Sequence, residues 1–334
     1  MKQRMSLPAL VARAIFASRT PAPALLAFLI AISIVFGIFN KLYFSYQNIN
    51  SIVNNLTFVG VLCLGMTVII ISGCIDLSIG SNIALCSVLI TKMFDRGFSI
   101  PAVILLTLVL GLAIGAINGL LVNRVEINSI IATLGTMTTL KGLALLFTQT
   151  KPMNVNTVFT ELGRGYVLQF IPITAAYFVV LLLLFSYILK YTLYGRNLYF
   201  VGSNPVAAHL SGIHVKRTRF LAFMISGLVA SFASLMITSQ LSHGRPEMGE
   251  GSELEVITIV VLGGVSMNGG TGSYVGVVIA LVLMTVIGNG MVLMDLPIFW
   301  RYVARGVILI IALLVDALKT QRRLEMVKLK SIKS

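Results

Sequence analysis

Residues 42–75 read LYFSYQNINSIVNNLTFVGVLCLGMTVIIISGCI and contain no Asp, Glu, Lys or Arg. This run is longer than the ~20 residues that a helix needs to cross the hydrocarbon core of a bilayer. The whole chain shares this character, since 57% of its residues are hydrophobic, 11% are charged and its mean hydropathy is +0.97. The composition predicts an all-α, polytopic membrane bundle. Other uncharged runs occupy 97–123, 165–189, 220–244 and 256–294.

The apolar runs predict about ten transmembrane helices. The eighth segment is short for a full crossing, so we expect a half-helix or a re-entrant piece there. The predicted spans are 21–39, 51–72, 77–94, 100–122, 128–147, 168–189, 219–240, 255–266, 273–294 and 299–316.

The basic residues indicate the orientation of the chain. With both termini in the cytoplasm, most of the 25 Lys and Arg residues fall on the inner side, as the positive-inside rule requires. We therefore treat 1–334 as one transmembrane domain. Its predicted cytoplasmic parts are a basic N-terminus at 1–20, a loop at 190–218 and a basic tail at 319–334.

The net charge of +14 does not indicate a nucleic-acid-binding protein, because the cations lie at membrane borders and no basic soluble fold remains. Anionic lipid headgroups of the bilayer are the expected partner of the basic tail. The apolar segment at 21–39 is long and lacks a clear cleavage site, so we interpret it as a first span and not as a secretory signal.

The sequence offers little for enzyme chemistry. Cys63, Cys74 and Cys86 lie in apolar surroundings without metal or disulfide spacing, so we expect them to be small core residues. The three histidines are scattered, and no G-x-x-x-x-G-K-[ST] phosphate loop is present. We expect a transport subunit without an ATPase motif, catalytic residues, a metal or a cofactor of its own.

A short helix is predicted in the polar loop, where residues 202–212 read GSNPVAAHLSG. Ser203 or Asn204 can cap the first free N–H groups, and Pro205 suits the first helical position. Gly212 suits the left-handed residue that ends a helix. Lys190, Arg196, Lys216, Arg217 and Arg219 surround this segment. A capped helix in a basic cytoplasmic loop suggests a surface for a cytoplasmic partner.

Asp76 stands at the junction of the second and third predicted spans and has two interpretations. A carboxylate at membrane depth is a candidate for contact with a solute or an ion. A carboxylate beside two helix ends can equally cap the third helix, which stabilises a helix by about 1 kcal/mol. We favour the capping or gate-structure interpretation.

Gly111, Gly115 and Gly119 recur every four residues along the fourth span. Such a stripe lets another helix approach closely, and helix packing is the preferred interpretation. Gly269, Gly270 and Gly272 are expected to form a tight inner connection before the ninth span.

Several motifs in order resemble the permease subunits of ribose-type sugar ABC importers. They are GMTVIIISGCIDLSIGS at 65–81, IATLGT at 131–136, KGLAL at 141–145, GRNL at 195–198, GIHVKR at 212–217, ELE at 253–255, VLGG at 261–264 and GGTG at 269–272. The resemblance covers nearly the whole chain.

The resemblance implies a multi-pass permease of the bacterial inner membrane. It implies three partners: ABC ATPase subunits that bind ATP and Mg, a second copy or a homologous permease, and a periplasmic sugar-binding protein. The helix at 203–212 then resembles the coupling helix, on an Ala-Ala-x-x-x-Gly pattern in which Val206 replaces the usual acid. The implied ATPase-coupling residues are Pro205, Val206, Ala207, Ala208, Leu210 and Gly212.

Polar and aromatic side chains on the spans are candidates for lining the solute path or its gate. The alternative is that each hydroxyl or amide bonds its own helix or a neighbouring one. The pathway candidates are Phe58, Asp76, Ser78, Asn118, Thr133, Thr136 and Asn289.

Arg164, Arg245 and Arg301 are candidates for docking the acidic surface of a binding protein on the outer face. Arg301 and Arg305 are spaced four residues apart on the last span, and simple snorkelling at the membrane border is the alternative.

An ion-coupled secondary transporter and a channel subunit are the competing functions. The first needs a charged relay within the membrane, for which Asp76, Lys141 and Arg305 are the main charges. Neither gives the capped cytoplasmic helix an obvious role. The transported sugar is left open among pentoses, hexoses, polyols and furanose-like signals.

Overall fold

Thirteen helices dominate the computed structural model, which describes residues 22–148, 153–155 and 157–333. The predicted N-terminal segment 1–20 lies outside the described residues. The helices are α1 (Ala22–Phe39), α2 (Tyr46–Ile71), α3 (Ile79–Asp95), α4 (Ile100–Asn123), α5 (Ser129–Thr148), α6 (Thr157–Arg164), α7 (Ile173–Tyr191), α8 (Leu193–Ser203), α9 (Pro205–Leu210), α10 (Val215–Leu241), α11 (Ser252–Leu262), α12 (Tyr274–Leu293) and α13 (Ile298–Lys333).

Each of the ten predicted spans overlaps one of these helices. Within the described ranges, seven helices are long and apolar enough to cross a membrane: α1, α2, α4, α5, α7, α10 and α12. The other three differ in length, with 17 residues in α3, 11 in α11 and 36 in α13. The α11 helix is short, as expected, and its placement as a half-helix or a re-entrant piece stays a prediction. The chain is a polytopic helical membrane protein.

Three helix boundaries differ from the predicted ones. The second span begins at Tyr46, earlier than expected, because the Ser45 hydroxyl caps the helix by accepting from the N–H of Asn48. The span predicted from 168 begins at Ile173, because β2 (Tyr166–Val167) and β3 (Ile171–Pro172) first form a tight antiparallel hairpin. Where a tail was predicted at 319–334, α13 continues to Lys333.

The core is built around α2 and α10. The second half of α2 is buried continuously from Val59 to Ile71, and α10 packs against α2, α3 and α4. Cys63, Cys74 and Cys86 are buried free thiols, as predicted. The chain therefore folds around two helices that are largely buried by the rest of the protein, and many small and polar residues on them are buried.

The glycine stripe of α4 is a close-packing face, as predicted. A methyl group added at Gly115 would overlap the backbone oxygen of Phe223 on α10, and one at Gly111 would overlap Gly227 O and the Ser231 side chain. The two backbones approach closely because α4 presents glycine, which has no side chain, at the crossing.

Two short strands close the end of the bundle where α10 ends. β1 (Met153–Asn154) pairs antiparallel with β4 (His243–Gly244). Nearby, α6 packs against α10, and the Ser239 hydroxyl donates to Phe159 O at 2.6 Å. No pattern in the sequence predicts these two-residue strands.

Candidate functional site

The helix predicted at 203–212 is present as α9, with its caps on the expected residues. Asn204 is the N-cap, and its Oδ1 accepts from the N–H of Ala207 at 3.0 Å. Pro205 occupies the first turn, and Gly212 takes φ +81°, which side chains other than that of glycine rarely adopt. Ser203, the alternative cap, instead ends the preceding helix α8.

One face of α9 is apolar and exposed. Val206 is 70% exposed and Leu210 is 81% exposed, and their spacing of four residues places them side by side. Ala207 is also exposed, whereas Ala208 is 3% exposed and packs inward. The exposed apolar side chains are thus held on a short capped helix that is anchored through Ala208.

Three residues, Ile71, Gly202 and Gly270, are in contact next to α9, and we call this contact the glycine junction. The sequence does not predict it. The N–H of Gly270 donates to Ile71 O at 2.9 Å, which joins the turn before α12 to the end of α2. A methyl group on Gly202 would overlap both Ile71 O and Gly270 N. The end of α8 therefore packs backbone against backbone on two other segments.

Polar side chains form hydrogen bonds with the segments next to the glycine junction. Arg219 Nε donates to Ser72 O at 3.1 Å, at the end of α2. Asp316 on α13 accepts from the N–H of Met267 at 3.2 Å and from the Ser266 hydroxyl at 3.3 Å. The turn between α11 and α12 is thus fixed to α13 as well as to α2.

Asp76 lies in a buried polar network between α2 and α3. Its Oδ1 accepts from the N–H of Ser78 at 2.9 Å and from the Ser78 hydroxyl at 2.6 Å. Its Oδ2 accepts from the Ser226 hydroxyl at 2.7 Å. Asn118 Nδ2 donates to Ser78 Oγ at 2.8 Å, and the Thr136 hydroxyl donates to Asn118 Oδ1 at 2.6 Å.

Five of the predicted pathway residues thus meet around the non-helical segment that joins α2 to α3. The fifth, Thr133, accepts from the N–H of Leu77 at 3.1 Å and donates to Ser129 O at 2.7 Å. Asp76 is 1% exposed, and Asn118 and Thr133 are fully buried. Asp76 accepts from the N–H of Ser78, which is the N-cap residue of α3, and both interpretations of Asp76 stay predictions.

The two remaining pathway candidates lie elsewhere. Phe58 packs against the main core from α2. Asn289 on α12 lines a cavity of about 270 Å³, which we call the Asn289 cavity, bounded by α2, α11, α12 and α13. Arg301 and Arg305, which are four residues apart on α13, line the same cavity.

The three candidate docking arginines are in different surroundings. Arg164 is exposed, and its Nε donates to Gln240 O near the end of α10 at 2.7 Å. Arg245 is exposed a few residues beyond that end. Arg301 instead faces the Asn289 cavity. Docking of a binding protein stays a prediction.

Two ion pairs that involve cations within the predicted spans were not predicted. Arg305 pairs with Glu255 on α11 at 3.0 Å, and Lys141 on α5 pairs with Glu250 at 2.8 Å. The sequence shows three acids, at 250, 253 and 255, and two cations within the spans. It does not show which acid pairs with which cation.

The sequence matches known proteins over most of its length. A family model described as branched-chain amino acid transport system / permease component matches residues 48–313. The chain belongs to this permease family. The resemblance noted from the motifs is confirmed, and the permease is a multi-pass protein of the bacterial inner (plasma) membrane.

Three relatives illustrate the match. The ribose import permease protein of Bacillus subtilis is 35% identical over 86% of this permease and 90% of the relative. The autoinducer 2 import system permease protein of Photorhabdus luminescens is 34% identical over 86% of this permease and 88% of the relative. A probable ABC transporter permease protein of Escherichia coli is 35% identical over 89% and 90%. No solved structure matches this permease significantly.

Proposed function

We propose that this permease is the membrane-spanning subunit of an ATP-driven importer for a sugar or a sugar-like solute. The family description names branched-chain amino acids, but two of the three relatives above are named for import of ribose or autoinducer 2. These relatives match most of both chains, so their names guide the proposal. The permease crosses the membrane about ten times with both termini in the cytoplasm.

The observation that carries the proposal is the exposed apolar face of α9. Val206 and Leu210 project from a helix whose two ends are capped and whose Ala208 is buried. Such a rigid knob suits a groove on another protein, because little conformational entropy is lost when it docks. We assign it as the coupling helix on which separate ATPase subunits dock, and those subunits bind ATP and Mg.

The glycine junction supplies the mechanical connection for coupling. A displacement of α9 moves α8, and Gly202 at the end of α8 has no free space against Ile71 and Gly270. The movement therefore reaches the end of α2 and the turn that leads into α12. Closure of the ATPase dimer shifts the bundle between inward-facing and outward-facing states only if the dimer binds these states with different free energies.

The remaining partners follow from the family. A periplasmic binding protein delivers the solute to the outer end, where Arg164 and Arg245 are exposed. A second copy of this permease, or a homologous one, completes the transmembrane dimer.

The ion-coupled transporter and the channel are less well supported. Of the main charges at membrane depth, Lys141 and Arg305 each pair with a carboxylate, and Asp76 accepts three hydrogen bonds. Neither function uses the apolar face of α9. Proton-driven uptake by this permease without an ATPase would favour the ion-coupled alternative.

Substitutions on α9 test the coupling assignment. Leu210→Ala shortens the apolar knob and Ala207→Glu places a charge beside it, so we expect both to reduce uptake and binding-protein-stimulated ATPase activity in proteoliposomes several-fold. The thermal midpoint of the permease should change little, because both side chains are exposed. Leu193→Ala is the matched control, since Leu193 is 71% exposed but lies on α8. Full activity in both α9 variants would disprove the assignment.

A further inference from the structure

The Asn289 cavity contains hydrogen-bonding groups that the protein itself leaves unused. Among the described residues, Asn289 Oδ1 and Arg301 Nε are buried and have no hydrogen-bond partner. Both residues line the same space of about 270 Å³. Buried polar atoms in native proteins nearly always have a partner, so an unused acceptor and an unused donor in one cavity point to a ligand.

The orientation of the Asn289 amide follows from its neighbours. Asn48 Nδ2 donates to the backbone oxygen of Tyr43 at 2.8 Å, which fixes the Asn48 amide. Asn48 Oδ1 then accepts from Asn289 Nδ2 at 2.8 Å. Because the amide nitrogen of Asn289 is held in this way, its oxygen is the atom left without a partner.

The charges in the cavity restrict what the ligand can be. Glu255 pairs with Arg305 at 3.0 Å and also lies near Arg301, so two guanidinium groups stand against one carboxylate. This excess of positive charge opposes an ammonium group. A carboxylate on the ligand would suit Arg301 but would place a second acceptor against Asn289 Oδ1.

Hydroxyl groups satisfy both free atoms, because a hydroxyl donates one hydrogen bond and accepts others. A solute with several neighbouring hydroxyls donates to Asn289 Oδ1 and accepts from Arg301 Nε–H at the same time. The volume lies just under the ~300–1,000 Å³ typical of small-molecule pockets, which restricts the occupant to a small solute.

We propose that the Asn289 cavity is a binding subsite for a small, neutral, polyhydroxylated solute within this permease. The inference rests on the proposed import function and gives it a location and a substrate class. Asn289 and Arg301 are the specificity-determining residues, and the Glu255–Arg305 pair lines the cavity beside Arg301. Arg301 thereby acts on the solute and not on a docked binding protein.

Protection of an introduced thiol measures occupancy directly. Ser51 lines the cavity and is exposed, whereas Cys63, Cys74 and Cys86 are all buried, so Ser51→Cys provides the reactive thiol. The assembled importer with its ATPase is placed in lipid nanodiscs without binding protein, and maleimide labelling is followed with D-ribose, L-leucine or neither. We expect D-ribose to slow labelling several-fold and L-leucine to leave it unchanged.

Two further variants identify the groups involved. Asn289→Leu or Arg301→Met, each combined with Ser51→Cys, should weaken the protection by D-ribose about tenfold, which is the ratio for one lost hydrogen bond. Arg96→Met is the matched control, because Arg96 is exposed beyond the end of α3. If Asn289→Leu fails to fold because Asn48 loses its partner, Arg301→Met still tests the site.

The outcomes separate the subsite from the import function. No protection by D-ribose means that the cavity holds water only and overturns the subsite. Protection retained in full in Arg301→Met means that Arg301 does not bind the solute, which overturns the subsite as it is proposed. Protection by L-leucine in place of D-ribose overturns the proposed solute class. Failure of the proposed import function gives a different result. The unmodified complex would then show no ATP-driven uptake of any solute supplied with its binding protein.

Discussion

The glycine junction and the Asn289 cavity lie towards opposite ends of the bundle and are built in opposite ways. At the glycine junction, Gly202 leaves no room for a single methyl group against Ile71 O and Gly270 N. In the Asn289 cavity, about 270 Å³ is open and two buried polar atoms lack partners. A contact without free volume transmits a displacement, whereas a space with unused hydrogen-bonding groups accommodates a molecule.

The same substitution in the two regions tests this contrast most strongly. Gly202→Ala should destabilise the permease by about 3 kcal/mol, because the new methyl overlaps backbone atoms that no side-chain rotation can move. Gly288→Ala is the matched change in the Asn289 cavity, where no described heavy atom lies within 4 Å of the added methyl. That variant should be unaffected or more stable by ~0.5–1 kcal/mol, since alanine favours a helix.

Thermal unfolding of both variants in detergent measures the difference directly. Equal midpoints for Gly202→Ala and Gly288→Ala would contradict the distinction between a filled junction and an open cavity. It would also remove the mechanical argument for coupling through α8.

The sequence predicted local features of the two regions better than their contacts. The caps of α9 were predictable because Asn204, Pro205 and Gly212 lie within nine positions of one another and act on the same short helix. The apolar runs likewise predicted all the segments that became long helices. Both signals depend only on neighbouring residues.

The contacts between distant segments were not predictable in the same way. The glycine junction joins residues 71, 202 and 270, and nothing in their local sequences indicates that they meet. The sequence does not predict the helix α8, because the segment 193–203 is short, contains Gly195 and Gly202, and lies within the predicted loop 190–218. The polar network was half predicted, since its members were named singly but their connection through Ser226 on α10 was not.

The Asp76 network is expected to give an intermediate effect. Asp76→Ala removes the acceptor of the Ser78 and Ser226 hydroxyls, and unsatisfied buried groups cost about 1–3 kcal/mol. Asp76→Asn keeps one acceptor oxygen and should recover part of that stability. Thermal midpoints and uptake of the two variants together separate the interpretations of Asp76. A stable Asp76→Asn permease that has lost all uptake would favour solute or ion contact over a structural role.

The smallest effect is expected for the exposed ion pair of Glu126 and Lys216. Their charged atoms are 2.7 Å apart. The hydrogen bond and charge of Lys216 lower the pKa of Glu126 below its ordinary value of 4.5. A lowered carboxyl pKa stabilises the folded state above 4.5, and this contribution is lost as the pH falls through the lowered value. Glu126→Gln should therefore lower the thermal midpoint slightly at neutral pH and not at all at strongly acidic pH.

Lys216→Gln should have the same effect, and the double variant should add little to either, because both remove one interaction. A gap between unmodified and Glu126→Gln permease that widens towards acid pH would have the wrong sign. A large gap at neutral pH would mean that this exposed pair holds α10 to the loop before α5 far more firmly than its solvent screening allows.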